Sequence, residues 1–295
     1  MSMSSSRYAG VRPKKRFGQN FLHDREMVIA IANSPGITKE DWVLEIGPGT
    51  GDLTVELLEH VGRMTAIELD RDLVERLKFR FVAHPEFELI SADVLDVDLR
   101  QLATERQPEG RRLAVANIPY YITTPIVMAL LDERSLKREG IPARPLFDSI
   151  TVMVQREVAD RMVAKAGTKD YGSLSVICQY AATVRKVLDV PRTSFKPVPK
   201  VDSAVVELCP RLTEPVAIAD RGLFWRLVHS IFTSRRKQLR NSLLQAGVPA
   251  ETLNRVAERR DLTVRGETLD LTAMAALVDD LVAVSPEGPE SAPHG

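Results

Sequence analysis

The sequence predicts an α/β fold, a mostly parallel sheet covered by helices on both faces, followed by a small C-terminal all-helical domain. Three observations carry this. Short apolar runs alternate with helix-period stretches through the first two thirds of the chain. A glycine-rich loop, Gly47-Pro48-Gly49-Thr50-Gly51, joins the first strand to its helix. Beyond Pro210-Arg211-Leu212-Thr213-Glu214-Pro215 the strand-like runs cease and helical spacing takes over.

In chain order, Trp42 to Ile46 reads as a buried strand and Asp52 to His60 as a helix. Met64 to Glu68 is the next strand, with a helix from Asp72 to Phe81. Phe87 to Ile90 and Leu113 to Ala116 follow as strands, then a helix from Thr124 to Leu131. Ile150 to Val154 leads into a helix from Glu157 to Val163. Leu174 to Thr183 has helical spacing, and Val184 to Val190 and Ala204 to Leu208 are closing strands. In the last third, Phe224 to Leu244, Ala250 to Arg259 and Leu269 to Val282 are expected as helices. Gly247 stops the first of these and Pro249 opens the second.

Hydrophobic content of 44% and charged content of 27% in 295 residues are those of a soluble globular protein. No apolar stretch approaches the roughly 20 residues of a membrane span. The N-terminus lacks the apolar core of a secretory signal. Cys178 and Cys209 form no CxxC pair, and the five histidines, His23, His60, His84, His229 and His294, are scattered. A reduced, cytoplasmic protein without a metal site is the expectation. Net charge is zero, yet basic residues cluster. Arg7 to Arg16, Arg185 to Lys200 and Arg221 to Arg240 are strongly basic segments, the pattern of a face that meets a polyanion. Solvated helix faces are the alternative.

The glycine loop narrows the ligand. A dinucleotide fingerprint needs glycine at its last position, where Asp52 stands here, and Glu45 precedes the loop. That variant of a Rossmann-like site suits a nucleoside without a pyrophosphate, as in S-adenosylmethionine. Glu68 ends the second strand, where a carboxylate can accept both ribose hydroxyls, and Asp93 follows the third, within reach of an adenine amino group. Asn117-Ile118-Pro119-Tyr120 follows the next strand as a rigid polar corner. The Asn117 side-chain carbonyl and the Pro119 backbone carbonyl can accept the two N–H bonds of an exocyclic amine. That favours a tetrahedral nitrogen in the transition state. Tyr120 can stack on the base. An ordinary turn after a strand is the competing account of the corner.

These motifs, in this order, resemble the rRNA adenine N6,N6-dimethyltransferases. The resemblance runs from Lys15-Arg16-Phe17-Gly18-Gln19-Asn20-Phe21-Leu22 through the glycine loop, Glu68-Leu69-Asp70 and the Asn117 corner. It continues through Tyr171 to Val176, Phe195-Lys196-Pro197-Val198-Pro199-Lys200-Val201-Asp202-Ser203, and Arg235 to Leu243, covering about residues 12 to 280. It implies a Rossmann-like, S-adenosylmethionine-dependent methyltransferase domain over residues 12–212 and a helical rRNA-binding domain over 213–284. A flexible basic tail (1–11) and a disordered tail (285–295) are expected to flank them. The implied cofactor residues are Gln19, Asn20, Leu22, Gly47, Gly49, Gly51, Glu68, Leu69, Asp93, Val94 and Asn117. Asn117, Pro119, Tyr120 and Phe195 are the implied catalytic group, with Phe195 stacking on the target adenine opposite Tyr120. The implied RNA contacts are Lys14, Lys15, Arg16, Lys196, Lys200, Arg235, Arg236, Lys237 and Arg240, the last four on one helical face.

The substrate implied is a pair of adjacent adenosines near the 3′ end of small-subunit rRNA, in a pre-ribosomal particle, methylated by a monomeric enzyme. Departures from the family pattern are small: Val198 for a common Pro, Ile118 for Leu, and Tyr121 where Asn is frequent. The rivals are an erythromycin-resistance type methylase of large-subunit rRNA, a DNA adenine methylase, and a non-catalytic rRNA-binding assembly factor.

Overall fold

The structure, a computed structural model, describes residues 14, 18–106, 108–235 and 237–285. Its elements in chain order are β1 (Phe21–Leu22), α1 (Arg25–Asn33), β2 (Trp42–Ile46), α2 (Asp52–His60), β3 (Arg63–Glu68), α3 (Arg71–Arg80) and β4 (Phe87–Ser91). Then come α4 (Leu99–Glu105), β5 (Arg112–Asn117), α5 (Thr123–Leu130), α6 (Glu133–Glu139), β6 (Ser149–Gln155), α7 (Arg156–Val163), α8 (Ser173–Ala181) and β7 (Ala182–Val190). The chain closes with β8 (Phe195–Lys196), β9 (Ser203–Pro210), α9 (Arg221–Thr233), α10 (Leu239–Gln245), α11 (Ala250–Ala257) and α12 (Leu271–Ala283). No helix among the described residues is long and apolar enough to cross a membrane.

One seven-stranded sheet has the order β4-β3-β2-β5-β6-β9-β7. β2 to β6 pair in parallel, and β9 runs antiparallel to both β6 and β7. The chain leaves β2 toward β3 and β4, then returns to the other side of β2 as β5. The crevice at the carboxyl ends of β2 and β5 is therefore the topological switch point, where open sheets of this kind bind ligands. Central strands are buried on both faces, as parallel strands under helices should be: Val43, Leu113 and Val115 pack with α1, α2 and α3, and Leu44, Ala114 and Val152 of the opposite parity are equally buried.

The chain divides into two compact units. The first runs to Asp132 and takes in Arg144–Asp160 and Ala182–Pro210, hence the whole sheet. The second comprises Glu133–Ala143, Arg161–Ala181 and the chain from Arg211. The expected linear division at residue 212 thus differs from the spatial one, because α6 and α8 group with the C-terminal helices. The second unit has its own core, where Trp225 sets its ring edge-on against Tyr180 at 5.4 Å and Phe224 at 4.9 Å.

Expected strands and helices recur within a residue or two, with one clear correction. Phe224 to Leu244 is not one helix: α9 ends at Thr233 and α10 begins at Leu239. The break has a backbone cause. Gln238 bridges Arg265, the Leu239 N–H donates to the Val264 carbonyl at 2.7 Å, and the Arg240 N–H donates to Leu262 at 3.0 Å. Those donors cannot also serve a continuous helix. Helix α8 likewise stops at Ala181, two residues short of the expected Thr183, where β7 takes over the backbone pairing.

Two buried features join β2 to its surroundings. Gly51, N-terminal cap of α2, has φ 82°, and a Cβ there would lie 2.8 Å from Phe81 and 3.0 Å from Leu77. Glu45 of β2 is 1% exposed and accepts the Thr54 hydroxyl of α2 at 2.6 Å. Burial, opposed by that hydrogen bond and reinforced by the Glu68 charge, pushes its carboxyl from 4.5 up to about 8.

Two stability predictions follow from these positions. Gly51→Ala must adopt a left-handed backbone and displace the Phe81 ring, so urea unfolding should show a loss of about 1–3 kcal/mol. Equal stability would mean that the loop relaxes freely. For Glu45 the folded carboxyl holds its proton to higher pH than the unfolded one. Its contribution is full below pH 4.5 and is lost as pH rises toward about 8. Glu45→Gln removes that dependence, so between pH 5 and 8 the variant should gain on the parent by up to about 1.4 kcal/mol per pH unit. A gap independent of pH would show that Glu45 titrates alike in both states.

Candidate active site

The carboxyl ends of β2, β3, β4 and β5 converge on one cavity inside the first unit. From β2 come Glu45, Gly47, Gly49 and Thr50. Gly47 and Gly49 have φ of 68° and 59°, left-handed values that only glycine adopts without strain. A Cβ on Gly49 would come within 3.3 Å of the Phe21 ring, so the loop passes close beneath β1. From β3 come Glu68 and Leu69, and after β4 come Asp93 and Val94. From β5 come Asn117, Pro119 and Tyr120. Gln19, Asn20 and Leu22 of the N-terminal segment and Phe195 of β8 complete the expected set.

Glu68, 7% exposed, is the most connected of these groups. Its Oε2 accepts the Gly49 N–H at 3.2 Å and its Oε1 accepts the Asp70 N–H at 2.8 Å. Burial raises its pKa against those backbone donors. A carboxylate offers about four acceptor positions, so even with the Leu69 backbone as a further donor Glu68 keeps acceptor capacity for a ribose hydroxyl. Asp93 uses Oδ1 to cap its own turn at Leu95 N, 3.0 Å, leaving Oδ2 for a ligand. Asp70 clasps the N-terminal segment: its Oδ1 meets Lys14 Nζ at 2.5 Å and its Oδ2 accepts from Gln19 Nε2 at 2.9 Å. β1 then pairs antiparallel with β8, Phe21 opposite Lys196 and Leu22 opposite Phe195. The N-terminal segment is thereby strapped across the cavity at both ends.

At the corner, no hydrogen bond to the Asn117 side-chain amide is found among the described residues, and the residue is half-buried. The Pro119 carbonyl accepts the Ile122 N–H at 3.1 Å and, at a long 3.4 Å, the Thr123 hydroxyl, which lies equally far from the Tyr120 carbonyl. Burial raises the Tyr120 hydroxyl above its ordinary pKa, so it keeps its proton.

Several expectations change. Gly51 does not line the cavity; it caps α2 and makes room for Phe81. Phe195 borders the cavity, but its ring is 1% exposed and packs in the core with Leu22, Val190 and Val205. In this structure it supports the wall and offers no open stacking face. Lys14 is engaged with Asp70 and Asp72, at 2.5 and 2.7 Å. Lys196 and Lys200 are exposed. Arg235 pairs with Glu267 at 3.0 Å and Arg240 donates to Asn254 at 2.7 Å, while Lys237 is exposed. Because α9 ends at Thr233 and α10 begins at Leu239, Arg235 and Lys237 lie outside both helices and do not share one helical face with Arg240. Lys15, Arg16 and Arg236 lie outside the described residues, as do the expected tail 1–11 and residues 286–295 of the other. The cavity also recruits residues that the motifs did not single out as ligands, among them Gly18, Leu73, Tyr121 and Ile126.

The lining fits S-adenosylmethionine. Among the described residues it carries Glu45, Asp52, Glu68 and Asp93 but no lysine or arginine. Such a surface repels a pyrophosphate and suits a cationic nucleoside. Glu68 and Asp93 would hold the ribose and adenine ends, and Gly47 and Gly49 allow close backbone approach.

Comparison with known proteins agrees. The chain is 41% identical over 276 residues to ribosomal RNA small subunit methyltransferase A of Geobacillus thermodenitrificans, covering 91% of each chain. It is 40% identical over 279 residues to the same enzyme of Geobacter metallireducens, covering 93% of this chain and 98% of that one. A dimethyladenosine transferase from Plasmodium falciparum superposes with a TM-score of 0.66 at 26% identity, over 88% of this chain and 94% of that one. The 23S rRNA methyltransferase ErmE superposes with a TM-score of 0.60 at 28% identity, over 89% and 99%. The family described as ribosomal RNA adenine dimethylase matches residues 10–273. The chain belongs to that family and is an S-adenosylmethionine-dependent rRNA adenine dimethyltransferase.

Proposed function

We propose that this enzyme dimethylates N6 of two adjacent adenosines near the 3′ end of small-subunit rRNA, acting as a monomer on a pre-ribosomal particle in the cytoplasm. The observation that carries the reading is the half-buried Asn117 amide, at the end of β5, in the same cavity as Glu68 and the glycine loop. The small-subunit relatives at 40–41% identity favour that rRNA over the large-subunit one. The likeness to ErmE is the observation behind the second reading, a large-subunit adenine methylase.

S-adenosylmethionine, when bound, supplies an electrophilic methyl group. The chain's own work is to orient the amine. The Asn117 side-chain carbonyl accepts one N6–H and the Pro119 carbonyl accepts the other in place of the Thr123 hydroxyl, which can turn to the Tyr120 carbonyl. This localises the nitrogen lone pair that the adenine ring otherwise delocalises, and the gain is largest in the transition state. Tyr120 stacks on the base and fixes its plane. The proton released from N6 passes to water, so no general base is assigned and catalysis is mainly orientation. The second transfer meets an N6 with a single N–H, so one of the two acceptors is enough for it. Lys196, Lys200 and Lys237, all exposed, are the contacts proposed for rRNA phosphates.

Asn117→Ala should lower the methyl-transfer rate by on the order of a hundredfold, the range for one transition-state hydrogen bond, and leave particle affinity nearly unchanged. Parallel loss of particle binding would make the corner a structural feature. The substrate is tested by mapping N6,N6-dimethyladenosine in rRNA from cells with and without the protein. The small-subunit 3′ adenosines should lose the modification when the protein is absent. Loss at a large-subunit adenine instead would establish the second reading.

A further inference from the structure

The Tyr120 hydroxyl lies 2.6 Å from Ser203 Oγ. The two residues differ sharply in how firmly they are held. Ser203 is 0% exposed and opens β9, with its backbone in register between Gln155 of β6 and Val190 of β7. Its Oγ is therefore fixed by the centre of three paired strands. Tyr120 sits in a single 3-10 turn, Tyr120–Ile122, with its ring half-buried at the cavity wall. The hydrogen bond at the far end of the ring is a direct restraint on its tilt.

The segment before Ser203 is pinned as well. The Asp202 side chain accepts the Arg192 N–H at 3.0 Å, and its backbone carbonyl accepts the Arg156 N–H at 3.0 Å. At its start, Phe195 pairs with Leu22 of the N-terminal strap. Ser203 is thus held by strand pairing on both sides, whereas Tyr120 is carried by a single short turn.

We propose that Ser203 is a positioning residue for methyl transfer: its hydroxyl hydrogen-bonds the Tyr120 hydroxyl and sets the plane of the ring on which the target adenine stacks. This rests on the reading of Tyr120 as the stacking residue. Both groups are hydroxyls, so either can donate, and the bond restrains the ring in either sense. The consequence reaches the reacting nitrogen. Pro119, whose carbonyl takes one N6–H, immediately precedes Tyr120 in the same turn. A tilt of the ring tilts the base edge against both acceptors, Asn117 and Pro119. Hydrogen bonds weaken steeply once they bend, so the cost falls on the transition state more than on substrate binding.

Single-turnover methylation of small-subunit particles tests this with Ser203→Ala, Tyr120→Phe, the double variant and Tyr120→Ala. Each of the first two should slow transfer about three- to tenfold, the factor that one neutral hydrogen bond is worth, with particle binding and the KM for S-adenosylmethionine unchanged. The double variant should be no slower than either single one, because both remove the same bond. Multiplicative losses, or a parental rate in Ser203→Ala with a parental melting curve, would overturn the proposal. If Ser203→Ala does not fold, Tyr120→Phe breaks the same bond at the more accessible end and decides alone, a parental rate again overturning it. Tyr120→Ala separates the two levels of the argument. A parental rate there removes the stacking reading itself, whereas a slow Tyr120→Ala beside a parental Ser203→Ala removes only the positioning role.

Discussion

One buried carboxylate holds the walls of the cavity in register. Glu68 ends β3, yet it accepts the Gly49 N–H from the loop after β2 and the Asp70 N–H from the turn before α3. Asp70, so placed, receives Lys14 and Gln19 of the N-terminal segment. Phe21 and Leu22 then lie against Lys196 and Phe195. Glycine loop, β3 turn, N-terminal strap and β8 are therefore one hydrogen-bonded chain with Glu68 at its root. An acid at that position serves two ends at once, because a carboxylate has acceptor capacity beyond two backbone donors. The residue that would meet the ribose is also the one that keeps the glycine loop in shape.

The acidic lining explains why a Gly-rich loop on this sheet serves a methyl donor. A helix N-terminus after such a loop ordinarily attracts phosphate. Here Asp52 opens α2 and accepts from Arg80 at 3.2 Å, so the positive end of the helix and the nearest guanidinium are already engaged with a fixed anion. Glu45 lies beneath the loop with its carboxyl pushed up to about 8, and its burial beside Glu68 keeps it largely neutral below that pH. A second full negative charge beneath the loop is avoided, while the anionic character remains on Glu68 and Asp93, facing the ligand.

How much of this was legible beforehand follows the range of the interactions. The strands of the sheet and the Asn117 corner depend on residues adjacent in sequence, and their apolar runs, glycines and proline announced them. Glu68 and Asp93 were found because strand ends converge at a switch point whatever the side chains. Contacts made at long range left no such mark. The two-residue strands β1 and β8 pair across more than 170 positions and carry no periodicity to detect. The break between α9 and α10 comes from backbone donors captured by Leu262 and Val264, in a stretch whose own spacing is helical. Gly51 looked like a third member of the cofactor loop, and only the position of Phe81 shows that its missing side chain serves packing.

The same distinction governs the basic residues. Counted along the sequence, Lys14, Arg235 and Arg240 belong to strongly positive segments. In space each is engaged: Lys14 with two aspartates, Arg235 with Glu267, and Arg240 with the Asn254 side chain. An Arg or Lys already paired must break that pair to take up a phosphate, which reduces the counterion-release gain that drives polyanion binding. Lys196, Lys200 and Lys237 are exposed, and no ion pair to them is found among the described residues. Of these, Lys196 has a special place: its backbone opposes Phe21 in the strap and its neighbour Phe195 borders the cavity. A phosphate held by Lys196 would sit one residue from the wall of the site. With the proposed Lys196 contact, backbone recognition of the RNA and delivery of the base would be coupled through β8, by a strand pair only two residues long.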